Sequence, residues 1–104
     1  MAEIVEKSMI QVKVIFYSSL KNTVGQDHVV LPFPKNTTLQ SVLEKVQQDY
    51  FSPKNEFILK ETTKQLEVGL ICLVDDVDIS IAGGLARQLQ KDRTITLITS
   101  LHGG

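Results

Sequence analysis

The sequence has one cysteine, no tryptophan and only three prolines. With Cys72 as its only cysteine, the chain cannot form an intramolecular disulfide, which favours a reducing compartment. Cys72 lies in the apolar run 70–74, where a free cysteine behaves as a small buried hydrophobic residue. A nucleophilic thiol would need a nearby cation or helix N-terminus. We therefore interpret Cys72 as a core residue.

The chain also lacks an excess of charge of either sign, since eleven basic residues face twelve acidic ones. Binding to nucleic acid through its phosphates requires clustered positive charge, so we expect no direct nucleic-acid binding. No apolar stretch approaches the length that spans a membrane, and the first residues lack the apolar centre of a secretory signal. We expect no membrane contact and a cytoplasmic, or also nuclear, location.

Residues with catalytic or metal-binding chemistry are scarce. The two histidines, His28 and His102, are far apart in the sequence, and no glycine-rich phosphate loop or catalytic triad is present. Asp75, Asp76 and Asp78 lie close together, but the glycine and glutamate of a calcium-binding loop are missing. We therefore predict no metal site, no bound cofactor and no enzymatic activity, and we interpret His28 as a surface strand residue.

The 104 residues, 42% of them hydrophobic, fit one domain. Two stretches alternate apolar and polar residues as half-buried strands do, 10–16 and 29–33. The polar turn residues 22–26 between them predict a hairpin, and Pro32 and Pro34 are expected to end its second strand.

A helix is predicted to follow the hairpin. Thr37 and Gln40 match a capping box, with Thr37 as the N-cap and Gln40 at N3. Apolar residues then recur at helical spacing as far as Tyr50, and Pro53 is expected to end the helix. We interpret residues 51–69 as a connection with a short helical turn.

The remaining elements predict an α+β roll. The wholly apolar run 70–74 predicts a central strand covered on both faces, and Asp75 and Asp76 predict a turn. Residues 79–90 are expected to combine a short edge strand with a helical stretch at 85–89, and 94–100 to form a last strand. If the last strand pairs in parallel with the first, a mixed sheet of four to five strands packs on one main helix.

The sequence ends in His102-Gly103-Gly104 soon after the last strand. Glycine has no Cβ, so such a tail can enter a channel too narrow for side chains. A carboxylate becomes an acyl donor once it is activated as an adenylate. We hypothesise that the Gly104 carboxylate is the reactive group, that Leu101 and His102 are gripped by a partner, and that Gly103 and Gly104 lie in its adenylation channel.

Three segments, 74–78, 85–90 and 98–104, resemble the ubiquitin-related modifier family. They match its aspartate turn, its Leu-x-x-Gln-Leu-Gln segment and its Leu-His-Gly-Gly terminus. Close matching covers about the last third of the chain, and the first half agrees in pattern. The sequence departs from the family at Ile79, Arg93 and Ser100, where tryptophan, an acidic residue and threonine are usual. Ile79 and Arg93 are expected on or near the surface.

The resemblance implies a ubiquitin-like β-grasp domain over residues 10–100, after a flexible lead-in at 1–9 and before a reactive tail at 101–104. It implies a monomeric carrier and substrate rather than a catalyst. An activating enzyme with adenylation and rhodanese-like domains would use ATP and magnesium to adenylate Gly104, and persulfide sulfur would then give a thiocarboxylate. A tRNA thiolation complex would use this sulfur for 2-thiolation of wobble uridine, and the same terminus would be joined to lysines of target proteins.

Three alternatives stay open. The chain could be a sulfur carrier for molybdenum cofactor or thiamine synthesis, although the aspartate turn and His102 weigh against it. It could act mainly as a lysine-conjugated modifier, or as a non-reactive β-grasp interaction module. Ile98 on the last strand is either part of an apolar docking patch or a core residue, with equal weight. The sequence also leaves open whether the diglycine is encoded terminally or exposed by processing.

Overall fold

The computed structural model describes residues 8–99, and the predicted hairpin forms its first layer. Strands β1 (Met9–Phe16) and β2 (His28–Pro34) pair antiparallel, with Val14 opposite Val29. β2 continues through Pro32, which was expected to end it. This is possible because β2 is an edge strand of the sheet, where a missing N–H leaves no partner unsatisfied.

The connection between β1 and β2 is not only the predicted polar loop, because residues 19–24 form a short helix, α1 (Ser19–Val24). Only Leu20 of this helix is buried. Gly25 ends it in the left-handed conformation with φ 88°, and the Gly25 N–H donates to the Lys21 carbonyl. A single buried residue gives no helical periodicity, so the sequence pattern did not reveal α1.

The main helix begins one residue later than predicted. In α2 (Leu39–Val46) the N-cap is Thr38, whose hydroxyl accepts a hydrogen bond from the Ser41 N–H at 3.2 Å. The predicted N-cap Thr37 instead donates its hydroxyl to the Pro34 carbonyl. The Gln40 side chain donates to Glu44 rather than reaching back. The predicted capping box was therefore wrong, although a threonine does cap the helix.

Two helical turns of other types follow α2 directly. A π-helical turn (Gln47–Phe51) is followed by a 3₁₀ turn (Ser52–Lys54) that contains Pro53. The Gln47 side-chain amide holds the chain that comes next: its Oε1 accepts from the Ile58 N–H at 2.5 Å, and its Nε2 donates to the Glu56 carbonyl at 2.7 Å. This contact places Ile58 and Leu59 in the core.

We expect Gln47→Ala to lower the free energy of unfolding by about 2 kcal/mol, because the partly buried N–H of Ile58 loses its acceptor and the exposed carbonyl of Glu56 loses its donor. Urea unfolding measures this change. Gln48→Ala is the matched control, since the adjacent Gln48 is exposed and has the same helix propensity. Equal stability of the two variants would contradict the proposed role of Gln47.

Five further strands complete two sheets. They are β3 (Thr37–Thr38), β4 (Leu70–Val74), β5 (Val77–Asp78), β6 (Gln88–Leu89) and β7 (Arg93–Thr99). The main sheet has the order β2-β1-β7-β4-β5, and β1 and β7 are parallel. The predicted mixed sheet and its parallel pair are confirmed. The central strand is β7, whereas β4, predicted to be central, has only the two-residue β5 outside it.

The face coverage predicted for β4 was also wrong. Cys72 and Val74 are buried, but Leu70, Ile71 and Leu73 are only half-buried. The helices therefore cover one face of the main sheet, and the other face is partly open. The run is apolar throughout because its second face carries an apolar surface, which is described below.

Residues 85–89 were predicted to be helical, but they form turns and the strand β6, which pairs with β3. The reason lies in the main helix. The N–H groups of Leu39 and Gln40, in the first turn of α2, donate to the carbonyls of Arg87 and Leu85 at 2.9 Å each. The first N–H groups of a helix have no partner within it, and this segment supplies two of their acceptors.

The core lies between α2 and the covered face of the main sheet. Ile79 belongs to it with 8% exposure, so its predicted surface position was wrong. The ring of Phe16 packs against Tyr50 and Phe51, with ring centroids 6.4 and 5.9 Å apart. The largest fully buried side chains are those of Phe16, Phe51, Leu39, Leu43, Ile58, Leu89, Ile95, Leu97, Val12, Val14, Val42 and Val46.

Candidate functional site

The site predicted from the sequence follows the central strand. β7 runs in the middle of the main sheet to Thr99, the last described residue. The predicted reactive Gly104 and its predicted contacts Gly103, His102 and Leu101 lie outside the described residues, and their roles stay predictions.

The open face of the main sheet carries a shallow apolar depression of about 450 Å³. Its walls include Ile15, Tyr17, Leu73 and Ile98. Between them, Thr96 is only 6% exposed, although it faces away from the helices, because Ile15 and Leu73 flank it in the two neighbouring strands. The depression therefore has apolar walls on both sides of a threonine of the central strand.

Ile98 lies on this open face and is half-buried, opposite Ile71 of β4. Its neighbour Leu97 points to the other side and is fully buried in the core. Successive side chains of β7 point to opposite faces of the sheet, so Leu97 lies in the core and Ile98 on the open face. Ile98 does not belong to the cluster of buried core residues, and its docking role stays a prediction.

The end of the depression opposite Ile98 is acidic, since Asp75 and Asp76 line it. They form the two-residue turn between β4 and β5, as predicted, with φ angles of 50° and 70°. Positive φ at both central residues is the feature of a type I′ hairpin turn.

The Asp75 carboxylate is bound within the protein. One oxygen lies 2.6 Å from Nη1 of Arg93, and the other accepts from the Thr94 N–H at 3.0 Å. Burial alone would raise the pKa of Asp75, but the Thr94 hydrogen bond and the Arg93 ion pair outweigh it and hold the pKa below its ordinary value. Arg93, predicted on or near the surface, is partly buried and has this internal role.

The interpretations of Cys72 and His28 are confirmed. Cys72 is buried with 1% exposure, and burial, with a smaller effect of Asp78, raises the pKa of its thiol to about 12. His28 is exposed in β2, and its Nδ1 lies 2.7 Å from a carboxylate oxygen of Asp27. Residues 8–99 contain no group of three or more His, Cys, Asp or Glu side chains that could hold a metal ion. Within the same residues, every helix is too short or too polar to cross a membrane.

A five-stranded mixed sheet with a parallel central pair, wrapped on one main helix, defines the ubiquitin-like β-grasp class of α+β proteins. Solved structures have the same fold. The HVO 2177 protein of Haloferax volcanii has a TM-score of 0.75 and 14% identity, over 93% of this chain and 89% of its own. Urm1 of Trypanosoma brucei has a TM-score of 0.72 and 24% identity, over 92% of this chain and 97% of its own.

Within this class, the sequence model of the ubiquitin-related modifier family matches residues 10–104. The chain belongs to this family. A curated relative, the ubiquitin-related modifier 1 homolog of Drosophila willistoni, is 31% identical over 67 residues, which are 64% of this chain. The chain spans 65% of the length of that relative.

Proposed function

We propose that the protein is a ubiquitin-like sulfur carrier and modifier whose reactive group is the Gly104 carboxylate. One observation carries the proposal: the family match extends from residue 10 through the Leu101-His102-Gly103-Gly104 terminus. The fold supports it, because the strand that leads towards this terminus is the central strand of the sheet. The protein would be a substrate of other enzymes rather than a catalyst.

The proposed activation has three balanced steps. A carboxylate oxygen of Gly104 attacks the α-phosphorus of ATP, bound with magnesium by the activating enzyme, and pyrophosphate leaves. The terminal sulfur of a persulfide on the rhodanese-like domain then attacks the acyl carbon, and AMP leaves. A thiol finally cleaves the resulting acyl disulfide, which gives the Gly104 thiocarboxylate and a new disulfide.

The thiocarboxylate would have two uses. A tRNA thiolation complex would take its sulfur for position 2 of the wobble uridine, with no direct contact between this protein and the tRNA. Alternatively, the amine of a lysine on a target protein would attack the carbonyl carbon of the Gly104 thiocarboxylate, the C–S bond would break and hydrogen sulfide would leave, which gives an isopeptide bond. We place both reactions in the cytoplasm, or also in the nucleus, with the protein acting as a monomer.

We further propose that the activating enzyme docks on the open face of the sheet. The apolar depression reaches Ile98, one residue before the end of β7, so a partner seated there would be next to the tail. Exposed apolar surface rimmed by polar groups is typical of protein–protein contact sites. The docked domain would serve as the recognition surface, and the tail as the reactant.

Intact mass spectrometry of the protein purified from its native cells tests the proposed function. We expect a fraction of the protein with the mass of a sulfur-for-oxygen exchange at Gly104, and we expect diglycine remnants on lysines of other proteins after digestion. Loss of wobble-uridine 2-thiolation in cells without the gene would separate this function from molybdenum cofactor or thiamine synthesis. A protein with neither a thiocarboxylate nor conjugates would instead be an interaction module.

A further inference from the structure

Strand β2 forms a long edge of the main sheet. Among residues 8–99, no strand pairs with its outer side. Its residues, His28–Pro34, include no lysine, arginine, aspartate or glutamate, and apart from the prolines they are a histidine, two valines, a leucine and a phenylalanine. A long, uncharged edge strand of such residues is a template for pairing with another chain. The opposite edge strand, β5, has only two residues, so β2 is the edge where such pairing matters.

The hydrogen bonds of β1 show which backbone groups of β2 face outwards. Gln11 lies opposite Pro32, and the Gln11 N–H donates to Oδ1 of Asp92, which lies on the side away from β2. In an antiparallel pair of strands, opposed residues alternate between hydrogen-bonded and non-hydrogen-bonded pairs. Gln11 and Pro32 therefore form a non-hydrogen-bonded pair, and the backbone nitrogen and carbonyl of Pro32 face the outer edge.

Every second residue of β2 has the same orientation as Pro32, so His28, Val30 and Pro34 also direct their backbone groups outwards. Proline has no N–H, and its ring occupies the place of the hydrogen. Two of these outward positions, next to each other in the series, thus lack a donor. The Pro34 carbonyl already has a partner, since it accepts from the Thr37 hydroxyl at 2.6 Å. The half of the edge at Pro32 and Pro34 therefore offers little to an added strand.

Neither proline is explained by the hairpin or by the core. Both are exposed, whereas their neighbours Leu31 and Phe33 are half-buried and pack against the core. The strand runs through Pro32 as far as Pro34, so Pro32 does not end it. The clearest structural consequence of the two prolines is therefore the loss of donors on the outer edge, and proline is one of the residues by which edge strands avoid pairing with other chains.

We propose that Pro32 and Pro34 close the outer edge of β2 to strand addition, and that without them this edge pairs with β2 of a second copy of the chain. The pairing would be antiparallel about a twofold axis. An axis at Leu31 would set residue 30 of one copy opposite residue 32 of the other, and residue 28 opposite residue 34. In the natural sequence each of these pairs contains a proline, so each lacks one of its two hydrogen bonds. This inference does not depend on the proposed function.

The test compares the full chain with the double variant Pro32→Thr/Pro34→Thr by sedimentation velocity over a range of concentrations. Threonine favours strands and supplies an N–H at each outward position. We expect the wild type to sediment as a monomer, and the double variant to self-associate at least about a hundredfold more tightly, because each copy gains two outward donors. In hydrogen exchange, the outward N–H groups of the double variant should be at least about tenfold more protected in concentrated than in dilute solution.

Val30→Thr is the matched control, since it places a threonine at an outward position of the same edge without adding an N–H, and it should stay monomeric. Association of Val30→Thr or of the wild type as tight as that of the double variant would overturn the inference. A folded double variant that stays monomeric, or that associates without protection of its outward N–H groups, would overturn it as well. If circular dichroism shows the double variant unfolded in dilute solution, the single variant Pro32→Thr decides by the same two measurements.

Discussion

Deletion of Gly104, or replacement of Gly103 by leucine, is expected to abolish adenylation while the melting temperature stays unchanged. Deletion moves the carboxylate back by one residue, and the leucine side chain widens a tail that must enter the adenylation channel. A misplacement of about 1 Å at a reacting centre can cost a factor of about 100 in rate, so we expect at least that loss of pyrophosphate exchange. The buried core residues of the described part of the chain lie between Ile10 and Leu97, and we expect neither change in the tail to alter their packing.

Gly103→Ala is the graded control for this prediction. A methyl group adds little width, so Gly103→Ala should retain more activity than Gly103→Leu, whereas both should unfold at the wild-type temperature. Normal exchange by Gly103→Leu would show that the tail does not enter a narrow channel. A lowered melting temperature for either variant would show that the tail packs on the domain and is not only a reactant.

The sequence predicted the elements whose signals are local and repeated. Alternation of apolar and polar residues predicted β1 and β2, and a run rich in β-branched residues predicted β7. Helical spacing predicted α2 with its four buried side chains. The parallel contact of β1 and β7 followed from connecting these elements through a helix. These patterns recur along each element, so an error at one residue does not change the interpretation.

The elements that the sequence did not predict depend on contacts between distant residues. Thr37 and Thr38 are equally good N-caps, and the choice between them is made by the pairing of β3 with β6, about fifty residues further along. In the same way, residues 85–89 have a helical composition but extend because their carbonyls accept the first N–H groups of α2. Residue 79 is buried because the turn after β5 folds onto the core.

The candidate site could be predicted only in part for the same reason. The terminus and Ile98 were found from local sequence and the family resemblance. The pairing of Arg93 with Asp75 was not found, because it joins residues 18 positions apart across two neighbouring strands. This contact gives a role to the arginine at position 93, where the family usually has an acidic residue. Arg93 binds one aspartate of the turn and leaves Asp76 free of partners within residues 8–99.

Introduction of glutamate at two adjacent positions of β7 should have opposite results. Leu97→Glu places a charge among fully buried side chains, with a cost of more than about 4 kcal/mol, and we expect an unfolded protein. Ile98→Glu places the charge on the open face, where the side chain is half-buried and can reach water. Its free energy of unfolding should fall by only about 1 kcal/mol, as measured by urea unfolding.

Pyrophosphate exchange measured with the folded Ile98→Glu variant should separate an effect on docking from an effect on stability. Because Ile98 forms the apolar end of the depression nearest the tail, we expect Ile98→Glu to raise KM for pyrophosphate exchange at least tenfold, the loss of one well-packed interface side chain. Val30→Glu is the matched control, since Val30 is a β-branched residue, 52% exposed in the edge strand β2 and outside the depression. If Ile98→Glu is folded and activated as well as Val30→Glu, the open face does not bind the activating enzyme.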